Sequence, residues 1–195
     1  MSLFEQIIDA ILAAITSGKL KEHGVTGPTM NVQQPLGSFH KEPDPPAVQE
    51  SRDLDHCEPE LKSRFLALKA DFEAKTGRQL FLTCTYRSPA KQAELYQRGR
   101  RGIAGEGKVT NCDGVKIKSR HNFFPSQAVD VCVDTDPGPG KVIVWDKAAY
   151  APLGPLSKVH GLKWGGDWNG NGRSDDENFL DCPHLELPGA AMWGG

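Results

Sequence analysis

Two segments of the sequence carry side chains that could bind a metal ion. SRHNFFPSQAVDVCVD contains His121 and, nine positions later, Asp130, at the start of a run typical of a β-strand. Two ligands do not hold zinc, but the later segment FLDCPHLEL offers Asp181, His184 and Glu186. A His/Asp/His set would leave a fourth tetrahedral position for water, which is the arrangement of a catalytic zinc site.

Such a site would hydrolyse bonds, because zinc lowers the pKa of a water molecule and a nearby carboxylate can take its proton. The spacing alone also fits a plainer interpretation, in which the histidines are structural and Asp130 is a turn residue. Cys132 and Cys182 are alternative ligands, although buried cysteine is commonly a small core residue. The five cysteines lack a CxxC pair, so we expect reduced thiols rather than a disulfide framework.

The elements that must position these residues follow from apolar periodicity and turn signals. A helix is predicted where Leu61, Phe65, Leu68 and Phe72 share one face, and a second where Ser88 and Pro89 provide a cap and a first turn. Helices come early and strands late, which predicts an α+β fold with a small, mainly antiparallel sheet and flanking helices. The predicted helices cover 58–77 and 88–99, and the predicted strands 78–86, 127–134, 141–146, 161–168 and 184–187.

The chain divides by composition into three parts. Residues 1–20 carry an apolar stripe at helical spacing, which predicts an amphipathic helix that docks on the protein or contacts a partner. Residues 21–50 are rich in proline without apolar periodicity, as in a linker or arm, and residues 51–195 form the expected catalytic domain. The N-terminal stripe is too short to span a bilayer and lacks the basic region of a signal peptide.

Charge and composition exclude some partners. The formal net charge of −2 gives no bulk attraction for nucleic acid or an anionic membrane. We therefore expect no nucleic-acid partner. A monomer and the absence of a transmembrane segment are separate expectations.

Three motifs in order give the chain a family resemblance. SRHNFFPSQAVD resembles the SxHxxGxAxD motif of zinc peptidases of the D-Ala-D-Ala carboxypeptidase and dipeptidase group, whose fold is shared with the Hedgehog signalling domain. WGGDW with DCPHLEL resembles the closing motif of that group, and TYRSPAKQAELY resembles its arginine-bearing segment. The likeness spans residues 52–188 and is greatest to phage L-alanyl-D-glutamate endopeptidases, endolysins that cut the peptide stems of bacterial cell walls.

The resemblance implies roles for individual residues. It makes His121, Asp130 and His184 the zinc ligands and Asp181 the general base, with Glu186 as a rival for that role. Other implied roles are stabilisation of the polarised carbonyl oxygen by Arg87 and substrate binding by Ser119. One departure is the first motif, which is two residues longer than the family form between its histidine and its aspartate.

The resemblance also implies a substrate and a place of action. It predicts zinc-dependent hydrolysis of peptidoglycan, between L-alanine and D-glutamate, by an endolysin held in the host cytoplasm until it is released to the wall. A virion-borne enzyme is the alternative location. The alternative functions are a D-Ala-D-Ala carboxypeptidase and a catalytically silent wall-binding or virion structural module, because fold alone does not decide activity.

A second ion site is suggested by DWNGNGRSDDEN. Oxygen-bearing side chains occupy positions one, three, five and nine of a calcium loop, but Asn178 stands at position twelve instead of the usual glutamate. A polar turn that needs only left-handed glycines is the alternative. The candidate calcium ligands are Asp167, Asn169, Asn171 and Asp175.

Overall fold

The structure is a computed structural model that describes residues 45–136, 138 and 141–189. The predicted amphipathic helix, residues 1–20, lies outside the described residues. The same holds for most of the predicted arm, of which only residues 45–50 are described. Within the described part of the chain, no helix is long and apolar enough to cross a membrane.

The described residues include four α-helices, and the longest provides most of the helical core. They are α1 (Pro59–Thr76), α2 (Pro89–Gln97), α3 (Lys147–Tyr150) and α4 (Leu153–Val159). The four apolar side chains that predicted α1 are all buried in the core, so that prediction is confirmed. Helix α1 ends at Gly77, whose φ of 67° is left-handed and whose N–H caps the carbonyl of Glu73.

Five strands form one antiparallel sheet. They are β1 (Gln79–Cys84), β2 (Ala128–Asp134), β3 (Ile143–Val144), β4 (Lys163–Trp164) and β5 (His184–Glu186). The strand order is β1-β2-β5-β4, and β3 also pairs with β2. Each pairing between these five strands is antiparallel, which confirms the predicted α+β class with a small antiparallel sheet and flanking helices.

Successive strand residues point to opposite sides of the sheet, so one face packs on the core and the other carries candidate site residues. Val129, Val131 and Leu185 face the core, where each is fully buried. The residues that alternate with them face away from this core. Asp130 pairs directly with His184 across β2 and β5, so the strand register brings two of the predicted metal ligands together.

The late strands are shorter than predicted. The predicted strand 141–146 pairs only at Ile143–Val144, and the predicted strand 161–168 only at Lys163–Trp164. Trp145 is 61% exposed, so no core contact holds the end of the first segment in an extended form. The apolar run therefore overstated the length of this strand.

Residues 49–51 are attached to the domain by backbone hydrogen bonds. Ser51 donates to the carbonyl of Tyr86 at 2.8 Å and accepts from Thr85 at 2.7 Å. Ser88 donates to the carbonyl of Gln49 at 2.8 Å, and the Glu50 carboxylate pairs with Arg87 at 3.0 Å. This short segment therefore braces the chain just after β1, next to the predicted site.

These contacts predict where the chain tolerates truncation. Deletion of residues 1–45 should leave a folded domain, because it keeps the segment 49–51 and the whole described core. Deletion of residues 1–52 should lower the melting temperature, because it removes the partners of Thr85, Tyr86 and Ser88. Thermal unfolding followed by circular dichroism checks both variants. Equal melting temperatures for the two truncations would contradict the bracing role of residues 49–51.

Candidate metal centre and catalytic pocket

Three of the predicted ligand atoms meet in a small triangle. His121 Nε2 lies 3.1 Å from Asp130 Oδ1 and 3.2 Å from His184 Nδ1, and His184 Nδ1 lies 3.0 Å from Asp130 Oδ1. His121 comes from a 3-10 turn, Asp130 from β2 and His184 from the first position of β5. Three separate elements thus bring these donors together.

The size of the triangle fits a zinc ion. Bonds of about 2.0–2.1 Å to a tetrahedral zinc place the ligand atoms about 3.3 Å apart, close to the separations found here. Two imidazole nitrogens and one carboxylate oxygen are also a ligand set that zinc accepts in catalytic sites. The donor chemistry and the spacing therefore agree.

His121 is held in one orientation by its other ring nitrogen. Nδ1 lies 2.5 Å from the carbonyl oxygen of Thr85, which can only accept a hydrogen bond, so the proton is on Nδ1 and Nε2 keeps its lone pair. The histidine is 1% exposed, and the turn that carries it is capped by Ser119 and Asn122. A buried backbone carbonyl therefore sets the tautomer that a metal ligand needs.

Cys84 is a further candidate ligand that the sequence interpretation missed. Cys84, His121 and Asp130 lie close enough together to form a metal-binding group. However, the Cys84 sulfur is 3.7 Å from His121 Nδ1, the nitrogen that already faces Thr85. Burial raises the pKa of Cys84 far above its ordinary value, which keeps it a thiol. We therefore favour His184 over Cys84 as the third ligand.

His184 has a carboxylate partner of its own. Its Nε2 lies 3.1 Å from Glu186 Oε2, two positions along the same strand face. Burial would lower the pKa of His184, but hydrogen bonds to Asp130 and Glu186 raise it to about 10. A carboxylate that orients a ligand histidine is a common supporting contact in zinc sites, and this contact favours a positioning role for Glu186.

Arg87 lies behind Asp130. Its Nη2 donates to Asp130 Oδ2 at 3.2 Å, and its other guanidinium nitrogens donate to Glu50 at 3.0 Å and to Gln92 at 3.2 Å. Burial would raise the pKa of Asp130, but His121 and His184 outweigh that effect and hold it well below its usual range. The guanidinium thus occupies one oxygen of Asp130 and leaves the other in the triangle.

Asp181 lies beside the triangle without joining it. Burial raises the pKa of its carboxyl group, and the nearby His184 opposes that rise only in part. Its backbone is fixed, since its N–H donates to Gly165 at 2.8 Å and its carbonyl accepts from His184 at 3.0 Å. A Cβ on Gly165 would lie 2.4 Å from the Asp181 carbonyl oxygen, so only glycine permits this close approach.

These residues line one cavity of about 620 Å³. Arg87, Ser119, His121, Asp130, Asp181 and His184, the six predicted site residues of the zinc peptidase motif, all lie on its wall. Apolar side chains and cations complete the lining, and they include Leu95, Arg98, Val109, Lys118, Arg120, Lys163, Trp168 and Phe179. A cavity of this size accepts a short segment of peptide.

The proposed calcium loop satisfies many of its own polar groups. Asp167 Oδ2 accepts from Gly172 and pairs with Lys158 at 3.3 Å, while Asp175 pairs with Arg173 at 2.9 Å. The side-chain oxygens of Asn169 and Asn171 accept backbone N–H groups within the loop. Gly170 and Gly172 have left-handed φ, as the alternative of a polar turn requires. Calcium binding stays a prediction.

Comparison with known proteins places the chain in a family. No family model matches the sequence. The peptidoglycan L-alanyl-D-glutamate endopeptidase CwlK of Bacillus subtilis is 32% identical over 139 residues, which cover 66% of this chain and 72% of CwlK. The structure of the Serratia marcescens L-Ala D-Glu endopeptidase ChiX aligns with a TM-score of 0.46 and 23% identity, over 69% of this chain and 82% of that one. By its relation to CwlK, which confirms the resemblance drawn from the motifs, the chain belongs to the family of peptidoglycan L-alanyl-D-glutamate endopeptidases.

Proposed function

We propose that this protein is a zinc-dependent endopeptidase that hydrolyses the bond between L-alanine and D-glutamate in the stem peptide of peptidoglycan. The observation that carries the proposal is the triangle of His121 Nε2, Asp130 Oδ1 and His184 Nδ1, with sides of 3.0 to 3.2 Å. Its position in a cavity large enough for a peptide, and the relation to CwlK, support the substrate class.

Each proposed ligand has a second contact that prepares it for a metal ion. Thr85 fixes His121, Glu186 fixes His184 and Arg87 fixes Asp130, as in the supporting contacts of known metal sites. A zinc ion held by these three ligands would supply Lewis acidity and lower the pKa of a water molecule. The protein's contribution is to orient the donors and, at His121, to keep the proton on Nδ1, the nitrogen that faces the Thr85 carbonyl rather than the triangle.

Asp181 is the proposed general base. Because burial raises its pKa, its carboxylate accepts a proton more readily than an ordinary aspartate. For Glu186, burial would raise the pKa, but the hydrogen bond and charge of His184 outweigh burial and lower it. A lowered pKa makes Glu186 the weaker base, so we assign it to positioning and Asp181 to proton transfer.

Arg87 has two proposed tasks. Its contact with Asp130 Oδ2 supports a role in orienting the carboxylate and balancing its charge. Stabilisation of the oxygen of the polarised carbonyl stays a prediction from the motif resemblance, since the guanidinium nitrogens already have partners in Glu50, Gln92 and Asp130.

The biological setting stays a prediction as well. A phage endolysin held in the host cytoplasm, a virion-borne enzyme, a monomeric state and a partner for the N-terminal helix all derive from the sequence alone. The alternative functions are a D-Ala-D-Ala carboxypeptidase and a silent wall-binding module. The products of peptidoglycan digestion distinguish both from the proposed endopeptidase.

Digestion of purified peptidoglycan tests the proposed reaction. We expect mass spectrometry to find stem fragments with a new N-terminal D-glutamate, and a chelator to abolish their formation.

His121→Ala and His184→Ala should each lose bound zinc and activity together, because a three-ligand site cannot spare one. His160→Ala is the matched control, since His160 pairs with Asp71 away from the cavity. Release of terminal D-alanine would indicate a D-Ala-D-Ala carboxypeptidase. The absence of any cleavage would indicate a catalytically silent module.

Two isosteric variants separate the base from the positioning residue. Asp181→Asn should keep its zinc but lose activity by about a hundredfold or more, the usual size of a general-base contribution. Glu186→Gln should instead weaken zinc binding by about tenfold to a hundredfold and recover activity in excess zinc. Zinc titration and steady-state kinetics measure both effects, and the opposite pattern would make Glu186 the base.

Zinc affinity should depend on pH in a defined direction. Since the pKa of His184 is raised to about 10, its imidazole holds a proton at neutral pH when no metal is bound, and the metal must displace that proton. We expect affinity to rise roughly tenfold per pH unit between about pH 6 and about pH 8. Calorimetry in buffers with different heats of ionisation should detect the released proton. An affinity independent of pH over this range would contradict the assigned protonation.

A further inference from the structure

The wall of the cavity carries its charges in two separate groups. The lining carboxylates, Asp130, Asp181 and Glu186, all belong to the proposed metal centre. The cations among the lining residues, apart from Arg87, are Arg98, Lys118, Arg120 and Lys163. Beyond the metal centre the cavity therefore offers positive charge to its occupant, which favours an anionic peptide.

Of these four cations, Lys163 is the one that an aromatic ring links to the candidate metal centre. It lies directly opposite Glu186 in the register of β4 and β5. Its ammonium group is 5.2 Å from the centre of the Trp168 ring, and that ring is 5.5 Å from the ring of His184. Lys163, Trp168 and His184 thus form a continuous patch of cavity wall that leads from a cation to a proposed ligand.

The charge of Lys163 is available to a ligand. Among the described residues no carboxylate lies within ion-pair distance of its ammonium group, which stacks over the Trp168 ring. Glu186, which His184 engages at 3.1 Å, feels the charge of Lys163 only through a lowered pKa. The side chain is only partly exposed, so screening by solvent is weaker than for a surface lysine. An anion bound here would gain more than it would from a surface ion pair.

The other lining cations are less suited to the same task. Arg98 is exposed and lies 3.8 Å from Glu106. Arg120 donates to Gln127 at 2.6 Å, and Lys118 is exposed. Their charges add to the positive field of the cavity, but they lack the link through Trp168 to His184.

The chemistry of the substrate supplies a matching anion. A glutamate within a peptide chain uses its amine and one of its carboxyl groups in amide bonds, so its second carboxyl group is a free carboxylate unless it is modified. In the bond proposed above, that glutamate contributes the nitrogen of the scissile amide. Its free carboxylate therefore lies within a few bonds of the scissile amide, and Lys163 is a lining cation that Trp168 links to His184.

We propose that Lys163 binds the free carboxylate of the D-glutamate residue and selects stem peptides in which that group is not amidated. This inference rests on the proposed function and names the form of the substrate. An amidated stem presents a neutral carboxamide, which cannot form the ion pair with the ammonium group. Discrimination follows because one substrate satisfies the cation and the other leaves it facing a neutral group.

The test compares two soluble stem peptides that differ only in this group, one with the D-glutamate carboxylate and one with its carboxamide. For the zinc-loaded full chain we expect kcat/KM to be about tenfold or more higher for the carboxylate form, the usual range for a charged hydrogen bond. Equal kcat/KM for both peptides would overturn the inference and leave the proposed function standing. Cleavage of neither peptide would overturn the proposed function itself.

Variants assign the preference to Lys163. Lys163→Met keeps the hydrocarbon stem without the charge, so the ratio of the two kcat/KM values should fall toward one, while Lys163→Arg should keep the preference. Lys75→Met removes an equal charge from the exposed end of α1 and should leave the ratio unchanged. Zinc content measured for each variant shows that the metal centre is intact. A ratio that stays at the wild-type value in Lys163→Met would assign the preference elsewhere and overturn the proposal.

Discussion

The antiparallel pairing of β2 with β5 is the interaction on which the site depends. It places Asp130 opposite His184 and leaves Val129 and Leu185 on the core side. A shift of the register by one residue would turn these apolar side chains away from the core and the ligands into it. The burial that stabilises the sheet therefore also specifies the geometry of the candidate metal centre. The short strand β5 can hold a ligand because its central residue is fully buried.

Each of the three side chains in the triangle makes a second contact through an atom that does not belong to the triangle. A backbone carbonyl, a carboxylate and a guanidinium face His121, His184 and Asp130, respectively. These contacts reach back to Thr85, just after β1, and to Glu50 in the segment 49–51, so the orientation of the candidate ligands depends on distant parts of the domain. The same contacts reduce the conformational freedom that would be lost when a metal binds, which is how supporting residues increase affinity.

The charged side chains that line the cavity indicate which kind of substrate it favours. The three lining carboxylates belong to the candidate metal centre or its supporting contacts, and the other charged residues of the lining are cations. Such an arrangement attracts a substrate whose anionic groups lie near the bond to be cut. Trp168 connects the two regions, because its ring contacts both His184 and Lys163.

Sequence alone determined the features that depend on local pattern. The spacing of Leu61, Phe65, Leu68 and Phe72 specified α1, since an apolar stripe at helical spacing must face a core. The order of helices and strands specified the α+β class, and the motif residues supplied the family and the candidate ligands. The helix, the fold class and the family are confirmed because apolar periodicity and short motifs can be read directly along the chain, whereas the roles of the candidate ligands stay predictions.

Only the tertiary structure decided which groups meet. His121 and His184 are 63 positions apart, and no local pattern states that their nitrogens lie 3.2 Å from each other. The contact of Glu186 with His184, on which the proposed positioning role of Glu186 rests, depends on side-chain orientation within β5. The contact of His121 with the Thr85 carbonyl involves a backbone atom, so no residue type in the sequence predicts it. Lys163 lies opposite Glu186 only because β4 pairs with β5 in this register. The physical reason is that strand pairing joins distant segments, and the energy that selects the pairing comes from burial of the opposite face.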